Sequence, residues 1–189
     1  FPTRRSSDLS HSAHIVADCD FNDIKYMVHS QKNGIFEKNS VIAKNMKDLQ
    51  KEYEGDAEYK QYFAFLKQYL TLNRSELFFA DKAIFIEGDT ERILLPAMMK
   101  MIDEEHEPEE NENYLLSQNV SIIEVGAYSH IFEKFMRFIG LRKCLIITDL
   151  DCCKPVEKTD KNGRKTTKYE KAPYDATDDN MVTSNASIK

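Results

Sequence analysis

The spacing of apolar and polar positions predicts a hairpin followed by helices in the first part of the chain. Residues 22–43 alternate in the manner of short strands on either side of a turn at 32–34, which predicts a β-hairpin. Residues 45–70 then carry large apolar side chains at helical spacing, with an interruption near residues 55–56. These side chains are expected to be core residues: Met46, Leu49, Tyr53, Tyr59, Phe63, Leu66 and Leu70.

From residue 81 the pattern changes to a repeat of strand, turn and helix. Short apolar runs at 82–87, 120–125 and 143–149 predict three strands. Two amphipathic segments between them predict helices: residues 91–102, capped by Thr90, and residues 128–140, closed by Gly140. Strands joined by helices of this length predict a parallel α/β sheet that is buried on both faces.

Composition is consistent with a globular protein of one ordinary domain, or of a partial domain joined to the remnant of another. The 189 residues are 41% hydrophobic and 31% charged, which argues against disorder throughout. No apolar run reaches the about 18 to 20 residues that a membrane span needs. The four cysteines form no CxxC pair, and two of them are adjacent, which favours reduced thiols and a cytoplasmic protein: Cys19, Cys144, Cys152 and Cys153.

Charge is unevenly distributed along the chain. The net charge of −6 argues against a generally basic nucleic-acid coat. Residues 103–113 are acidic and are expected to form a solvated loop. Residues 154–171, by contrast, contain seven Lys/Arg and three Asp/Glu with little hydrophobicity, so they are expected to form an exposed excursion. Contact with DNA phosphates is one hypothesis for its role, which the sequence leaves open.

Acidic side chains follow the predicted strands at the edge where ligands bind in parallel sheets. Glu87 ends the first strand and Asp149 the third, and Asp151 lies two positions further on, where extended chain points it to the same side. Glu91 lies in the first turn of the helix after Glu87, and Gly88 leaves room for close approach. These four carboxylates are expected to surround one point.

A cluster of carboxylates is unfavourable when empty but provides the hard oxygen ligands that Mg²⁺ or Mn²⁺ prefers. Divalent ions held in this way serve phosphoryl chemistry. An Asp-x-Asp pair after a strand also occurs in phosphoaspartyl phosphatase folds and in glycosyltransferases. The acids also have structural interpretations, since Glu87 could cap a helix or form an ion pair and Glu91 could complement the helix dipole.

The segment from LFFADKAIFIEGDTERILLP (77–96) to LIITDLDCC (145–153) resembles the TOPRIM domain of the OLD (overcoming lysogenisation defect) family of ATP-dependent DNA endonucleases. The resemblance implies a partial TOPRIM fold, a Rossmann-like parallel sheet with flanking helices. It also implies that the preceding hairpin and helices are the trailing part of an ABC-type ATPase domain.

The same resemblance implies roles for individual residues. Glu87, Asp149 and Asp151 would be catalytic and would hold divalent metal, and Glu91 would join them as a ligand. The VTSNASIK tail contains a Ser/Asn pair suited to capping a helix. It is also similar to the family's serine-asparagine stretch, which makes Ser184 a neighbour of the site. The family's later lysine would lie beyond residue 189.

Residues 10–15, SHSAHI, resemble the switch-histidine segment of the family's ATPase core, and His11 would approach the γ-phosphate of ATP. The sequence contains no GxxxxGK[ST] phosphate loop, so ATP is expected to bind only in a longer protein. The family further implies homo-oligomers formed through the ATPase domain.

The sequence is therefore interpreted as an incomplete OLD-like endonuclease. Residues 1–9 read as translated sequencing adapter, 10–72 as the end of the ATPase domain with its connector, and 73–189 as a TOPRIM domain truncated at its C-terminus. The expected reaction is metal-dependent hydrolysis of DNA, in phage defence or DNA repair. The alternatives are a TOPRIM module of a topoisomerase or primase, or a catalytically inactive DNA-binding module.

Overall fold

The computed structural model describes residues 9–32, 35–55, 57–72, 74–107, 113–159 and 164–188. The predicted turn at 32–34, the helix interruption at 55–56 and the acidic segment 103–113 therefore lie partly outside the described residues. None of the described helices is long and apolar enough to cross a membrane.

The first part of the chain contains the predicted hairpin and the helices after it, and also a helix before it that was not predicted. Helix α1 (Ala13–Asp18) and a 3-10 turn (Phe21–Asp23) precede strands β1 (Lys25–Lys32) and β2 (Ile35–Asn45), which pair antiparallel. Two helices follow, α2 (Met46–Glu52) and α3 (Ala57–Leu72). Helix α2 begins where the Asn45 side chain accepts a hydrogen bond from the Lys47 backbone N–H at 3.1 Å.

The second part is a three-stranded parallel sheet with flanking helices, which confirms the predicted α/β class. After a 3-10 helix (Ser75–Phe79), the chain order is β3 (Lys82–Ile86), α4 (Asp89–Glu105), β4 (Val120–Glu124), α5 (Glu133–Ile139) and β5 (Lys143–Ile146). The sheet order is β4-β3-β5, and every pairing is parallel. Strand β3 is therefore central, and Glu87 follows it directly.

Three predicted boundaries are wrong. Helix α4 begins at Asp89, with Gly88 as its N-cap, so Thr90 lies inside the helix, and the Glu91 side chain accepts the Gly88 N–H. The segment before α5 is a 3-10 helix (Gly126–Phe132) rather than part of one long α-helix. Strand β5 ends three residues before Asp149, although the Ile147 N–H still donates to the Phe85 carbonyl of β3 at 2.8 Å.

One hydrophobic core joins the two parts of the chain. It includes buried residues of α2 and α3, such as Leu49 and Leu66, together with Phe85 of β3 and Phe132. The Phe132 ring lies 5.3 Å from the Tyr69 ring and 5.4 Å from the Phe85 ring, measured between centroids. The helices of the first part therefore cover one face of the parallel sheet.

The expectation that the sheet is buried on both faces is wrong for its edge. Strand β3 is largely buried, but all four residues of β5 are exposed, including Leu145 at 54%. Helix α4 has no buried residue and exposes Ile93 at 66% and Met101 at 57%. In the described part of the chain, β5 and α4 are therefore largely open to solvent, although Phe85 and Ile86, which point to opposite faces of β3, are both buried.

The basic excursion folds as a second hairpin. Strands β6 (Cys152–Thr159) and β7 (Lys165–Lys171) pair antiparallel, and β6 also pairs with the short strand β8 (Val182–Thr183). All seven residues of β7 are exposed, which confirms the expected exposure. The hairpin starts one residue after Asp151.

A candidate metal site at the carboxyl edge of the parallel sheet

Glu87 links the carboxyl ends of two neighbouring strands. It follows β3, and its Oε2 accepts hydrogen bonds from the Thr148 hydroxyl at 2.8 Å and from the Asp149 backbone N–H at 2.7 Å. Both donors lie just beyond β5, which pairs in parallel with β3. Two of the predicted site residues, Glu87 and Asp149, are thus adjacent although they are far apart in sequence.

Glu91 returns to the start of its own helix. Its Oε2 accepts the Gly88 backbone N–H at 3.1 Å, which is one half of a capping box. Gly88 itself has an extended backbone with φ −157°, and an added Cβ would come no closer than 3.8 Å to Glu91 Oε2. The backbone geometry and the free space therefore do not by themselves require glycine at position 88.

Asp151 is held by contacts to its backbone. It is the one non-glycine residue with positive φ in the described chain, at 44°. Its carbonyl oxygen accepts the Ser184 backbone N–H at 3.0 Å and the Ser184 hydroxyl at 3.2 Å. Its carboxylate oxygen Oδ1 lies 3.3 Å from Lys171 Nζ. Ser184 is thus next to the site, through the backbone of Asp151.

Asn185 is a site residue that the sequence analysis did not select. It is only 1% exposed, and its Nδ2 donates to Thr148 Oγ1 at 2.6 Å and to the Asp149 carbonyl at 2.9 Å. Its Oδ1 accepts the Ser187 N–H at 2.8 Å, which is the capping-type bond that the tail sequence suggested. Because the Thr148 hydroxyl donates to Glu87, Asn185 supports the Glu87 contact indirectly, by holding Thr148.

Replacing Asn185 with alanine is expected to lower the free energy of unfolding by about 1–3 kcal/mol, because it leaves the partly buried Thr148 oxygen and Asp149 carbonyl without this donor. It should also weaken Mn²⁺ binding by roughly 10-fold to 100-fold, the usual effect of removing a group that orients a metal ligand. Urea denaturation and Mn²⁺ titration measure the two effects. The control is N180A, because Asn180 is exposed and its hydrogen bonds within the described residues are to Asp178. Equal behaviour of N185A and N180A would contradict this role.

The acid at the end of the second strand faces a different partner. Glu124 Oε2 lies 3.7 Å from Arg92 Nε, and Arg92 also pairs with Asp89 at 2.5 Å. The hydrogen bond from Arg92 to Asp89 raises the pKa of the guanidinium. Arg92 is thus engaged in ion pairs at the start of α4.

The edge therefore assembles part of the predicted set. Glu87 and Asp149 are in contact, Asp151 is fixed two residues later, and Glu91 is drawn to the helix start. In the described residues, no group of three or more His, Cys, Asp or Glu side chains is arranged closely enough to hold a metal ion. The convergence of four carboxylates stays a prediction, as does each assigned role.

Other candidate residues lie away from this edge. His11 is exposed and its ring centroid is 6.4 Å from that of Phe79, so it packs beside the 3-10 helix that precedes β3. His130 packs edge-on against Tyr62 at 5.5 Å. Of the adjacent thiols, Cys153 is buried and Cys152 is half-buried.

A parallel sheet with acidic residues at its carboxyl edge is the arrangement of a TOPRIM-like fold, and the comparison with protein families agrees. Residues 78–151 match the family described as "Overcoming lysogenization defect protein-like, TOPRIM domain". The matched segment runs from the residues before β3 to Asp151, which confirms the resemblance inferred from the sequence.

The chain is also similar to Endonuclease GajA of Bacillus cereus (strain HuB5-5). The two are 29% identical over 151 residues, an alignment that covers 75% of this chain and 19% of GajA. The aligned part thus spans about a fifth of the length of that relative. No solved structure matches the chain significantly.

Proposed function

We propose that this chain is the nuclease part of a metal-dependent DNA endonuclease, which hydrolyses phosphodiester bonds at the carboxyl edge of the parallel sheet. The observation that carries the proposal is the pair of hydrogen bonds from Thr148 and Asp149 to the Glu87 carboxylate. The OLD-like TOPRIM match and the similarity to an endonuclease support the same reaction class.

The donors at this edge suit a hard divalent cation. Glu87, Asp149 and Asp151 provide carboxylate oxygens only, the ligand type that Mg²⁺ and Mn²⁺ prefer. These three residues would hold the metal, and Glu91 could join them if it left the Gly88 N–H. A bound ion would activate water as a Lewis acid and would stabilise charge at the phosphate. Two ions bound together would do so by the two-metal mechanism.

The chain's own residues orient this edge. The Thr148 hydroxyl and the Asp149 N–H fix one oxygen of Glu87, and Asn185 in turn holds Thr148, so the carboxylate is preorganised before metal arrives. Ser184 fixes the backbone of Asp151 by two hydrogen bonds. Asp149 is exposed, so a metal ion held by its carboxylate would be accessible to a DNA phosphate from solvent.

A plasmid-nicking assay tests the proposal. The purified chain is incubated with supercoiled plasmid in Mg²⁺, in Mn²⁺ and in EDTA, and the nicked and linear products are quantified. We expect cleavage in either metal and none in EDTA. Metal-independent cleavage would contradict the mechanism, and DNA binding without cleavage in either metal would favour the inactive DNA-binding module instead.

Lys171 is expected to compete with metal at Asp151, because its ammonium lies 3.3 Å from the carboxylate. An exposed ion pair is worth at most about 1 kcal/mol, so K171M should bind Mn²⁺ up to about fivefold more tightly. Isothermal titration calorimetry measures the affinity. The control is K165M, since Lys165 pairs with Glu157 on the same hairpin at 3.2 Å. Weaker Mn²⁺ binding by K171M would show that Lys171 supports the site.

The remaining predictions concern a longer protein. ATP binding near His11, homo-oligomers formed through an ATPase domain, and a role in phage defence or DNA repair are proposed for the protein of which this chain would be part. A cytoplasmic location is proposed on the same basis.

A further inference from the structure

We propose that the β6–β7 hairpin is a binding surface for the phosphate backbone of double-stranded DNA, which it holds against the Glu87 edge. The proposal rests on the proposed function, because it takes DNA as the substrate. Its starting point is charge: the described part of the hairpin carries an excess of four positive charges in a chain whose net charge is −6. The basic residues are Lys154, Lys158, Arg164, Lys165, Lys168 and Lys171.

The hairpin is anchored directly at the candidate metal site. Strand β6 begins at Cys152, immediately after Asp151, and the end of β7 returns to the same place. The Ala172 N–H donates to the Cys152 carbonyl at 2.9 Å, and Lys171 Nζ lies 3.3 Å from Asp151 Oδ1. DNA bound along the hairpin would therefore pass beside the carboxylates.

Lys154 and Lys171 pair with acids outside the hairpin, Asp178 at 2.8 Å and Asp151 at 3.3 Å, but the ion pairs within the hairpin leave the charge of their lysines available. Lys158 pairs with Glu170, and Lys165 Nζ lies 3.2 Å from a Glu157 carboxylate oxygen. All four side chains are at least half exposed, and such pairs contribute little to stability. A DNA phosphate can replace either carboxylate at low cost, so these pairs do not block binding.

The strand register distributes lysines over both faces. Lys158 lies opposite Thr166, and Lys168 lies opposite Val156, which is two residues from Lys158. Lys158 and Lys168 thus share one face, because alternate residues of a strand point the same way. Lys165, one residue from Thr166, points to the other face. A two-stranded ribbon fits the roughly 12 Å wide major groove of B-form DNA. Lysines on its two faces can then reach the phosphates on either side of the groove.

The geometry favours DNA over duplex RNA. The major groove of A-form RNA is too narrow and deep for protein elements to enter. Binding should also depend little on sequence, since lysine contacts to phosphates carry no base information. The expected ligand is any duplex DNA of sufficient length.

Fluorescence anisotropy with a labelled 30-base-pair duplex tests this surface, in EDTA so that no cleavage occurs. The variant is K158Q/K165Q/K168Q, which keeps the Lys171 contact to Asp151. The control is K51Q/K60Q/K100Q, which removes three exposed lysines outside the hairpin. Dissociation constants are measured over a series of salt concentrations.

We expect the hairpin variant to bind roughly tenfold or more weakly, and its slope of log affinity against log salt to fall by about 2–3, near 0.9 for each lost phosphate contact. The control should keep the wild-type slope. An unchanged slope in the hairpin variant, no binding of DNA by the wild-type chain, or tighter binding to an RNA duplex of equal length would each overturn the proposal.

Cleavage is scored separately, so the two proposals can fail independently. If the hairpin variant loses the salt dependence while the wild-type chain does not cut plasmid in any metal, the DNA surface stands and the hydrolase proposal falls. If plasmid is cut but the salt slope is unchanged, the hairpin proposal falls alone.

Discussion

Replacing Glu87 with glutamine is expected to reduce metal-dependent cleavage by about a hundredfold or more. Removing even a group that merely orients a metal ligand typically costs 10-fold to 100-fold, and Glu87 is proposed to be a ligand itself. Glutamine keeps a carbonyl acceptor for the Thr148 hydroxyl and the Asp149 N–H, so the fold should be retained. The change therefore removes a charge rather than a contact.

The control for E87Q is the same substitution at a carboxylate of similar exposure elsewhere on the sheet. Glu124 follows the neighbouring strand but pairs with Arg92 instead of the β5 end, so E124Q is the matched control. Initial nicking rates in Mn²⁺ are compared, with circular dichroism to confirm folding. Wild-type rates in E87Q would remove Glu87 from the mechanism.

Replacing Phe132 with alanine is expected to lower the free energy of unfolding by about 3–5 kcal/mol. Phe132 is fully buried and its ring contacts Tyr69 of α3 and Phe85 of β3, so it fastens the helical part to the sheet. The cavity left by alanine would face all of these elements, and rigid packing would close it only in part.

Urea denaturation followed by circular dichroism measures this effect. The control is Y128A in the same 3-10 helix, where Tyr128 is 54% exposed and its loss should cost about 0.5 kcal/mol or less. A loss below about 1 kcal/mol in F132A would mean that the two parts of the chain do not share one core.

The pattern of the sequence predicted the elements better than their ends. Continuous apolar runs identified β3 and β4, because residues such as Phe85 and Ile123 are fully buried. The start of α4 was displaced because Gly88 is the N-cap and the Glu91 side chain accepts its N–H, which places Thr90 inside the helix. Capping depends on side-chain geometry that spacing does not encode.

Burial at the sheet edge was the least predictable feature of the fold. The run Leu145–Ile146 looks like a buried strand, yet both side chains are largely exposed. The periodicity of a sequence shows which residues are apolar. It does not show whether another element of the fold covers them. The exposure of Ile93 and Met101 on α4 follows the same logic.

The candidate site shows the same division between local and distant information. The adjacency of Glu87 and Asp149 could be inferred from parallel strands that end at one edge. The contacts of Asn185 with Thr148 and of Lys171 with Asp151 could not, because they join residues 37 and 20 positions apart whose side chains meet only through the tertiary fold. The tail signalled Asn185 only as a helix cap.

The most direct test of the account is to locate a bound Mn²⁺ by anomalous diffraction from crystals of this chain soaked in MnCl₂. We expect an anomalous peak from a Mn²⁺ ion that is bound by the carboxylates of Glu87 and Asp149. The peak should be absent from crystals of E87Q. Mn²⁺ bound only elsewhere, such as at the acidic end of α4, with no peak at the Glu87 edge, would contradict the account.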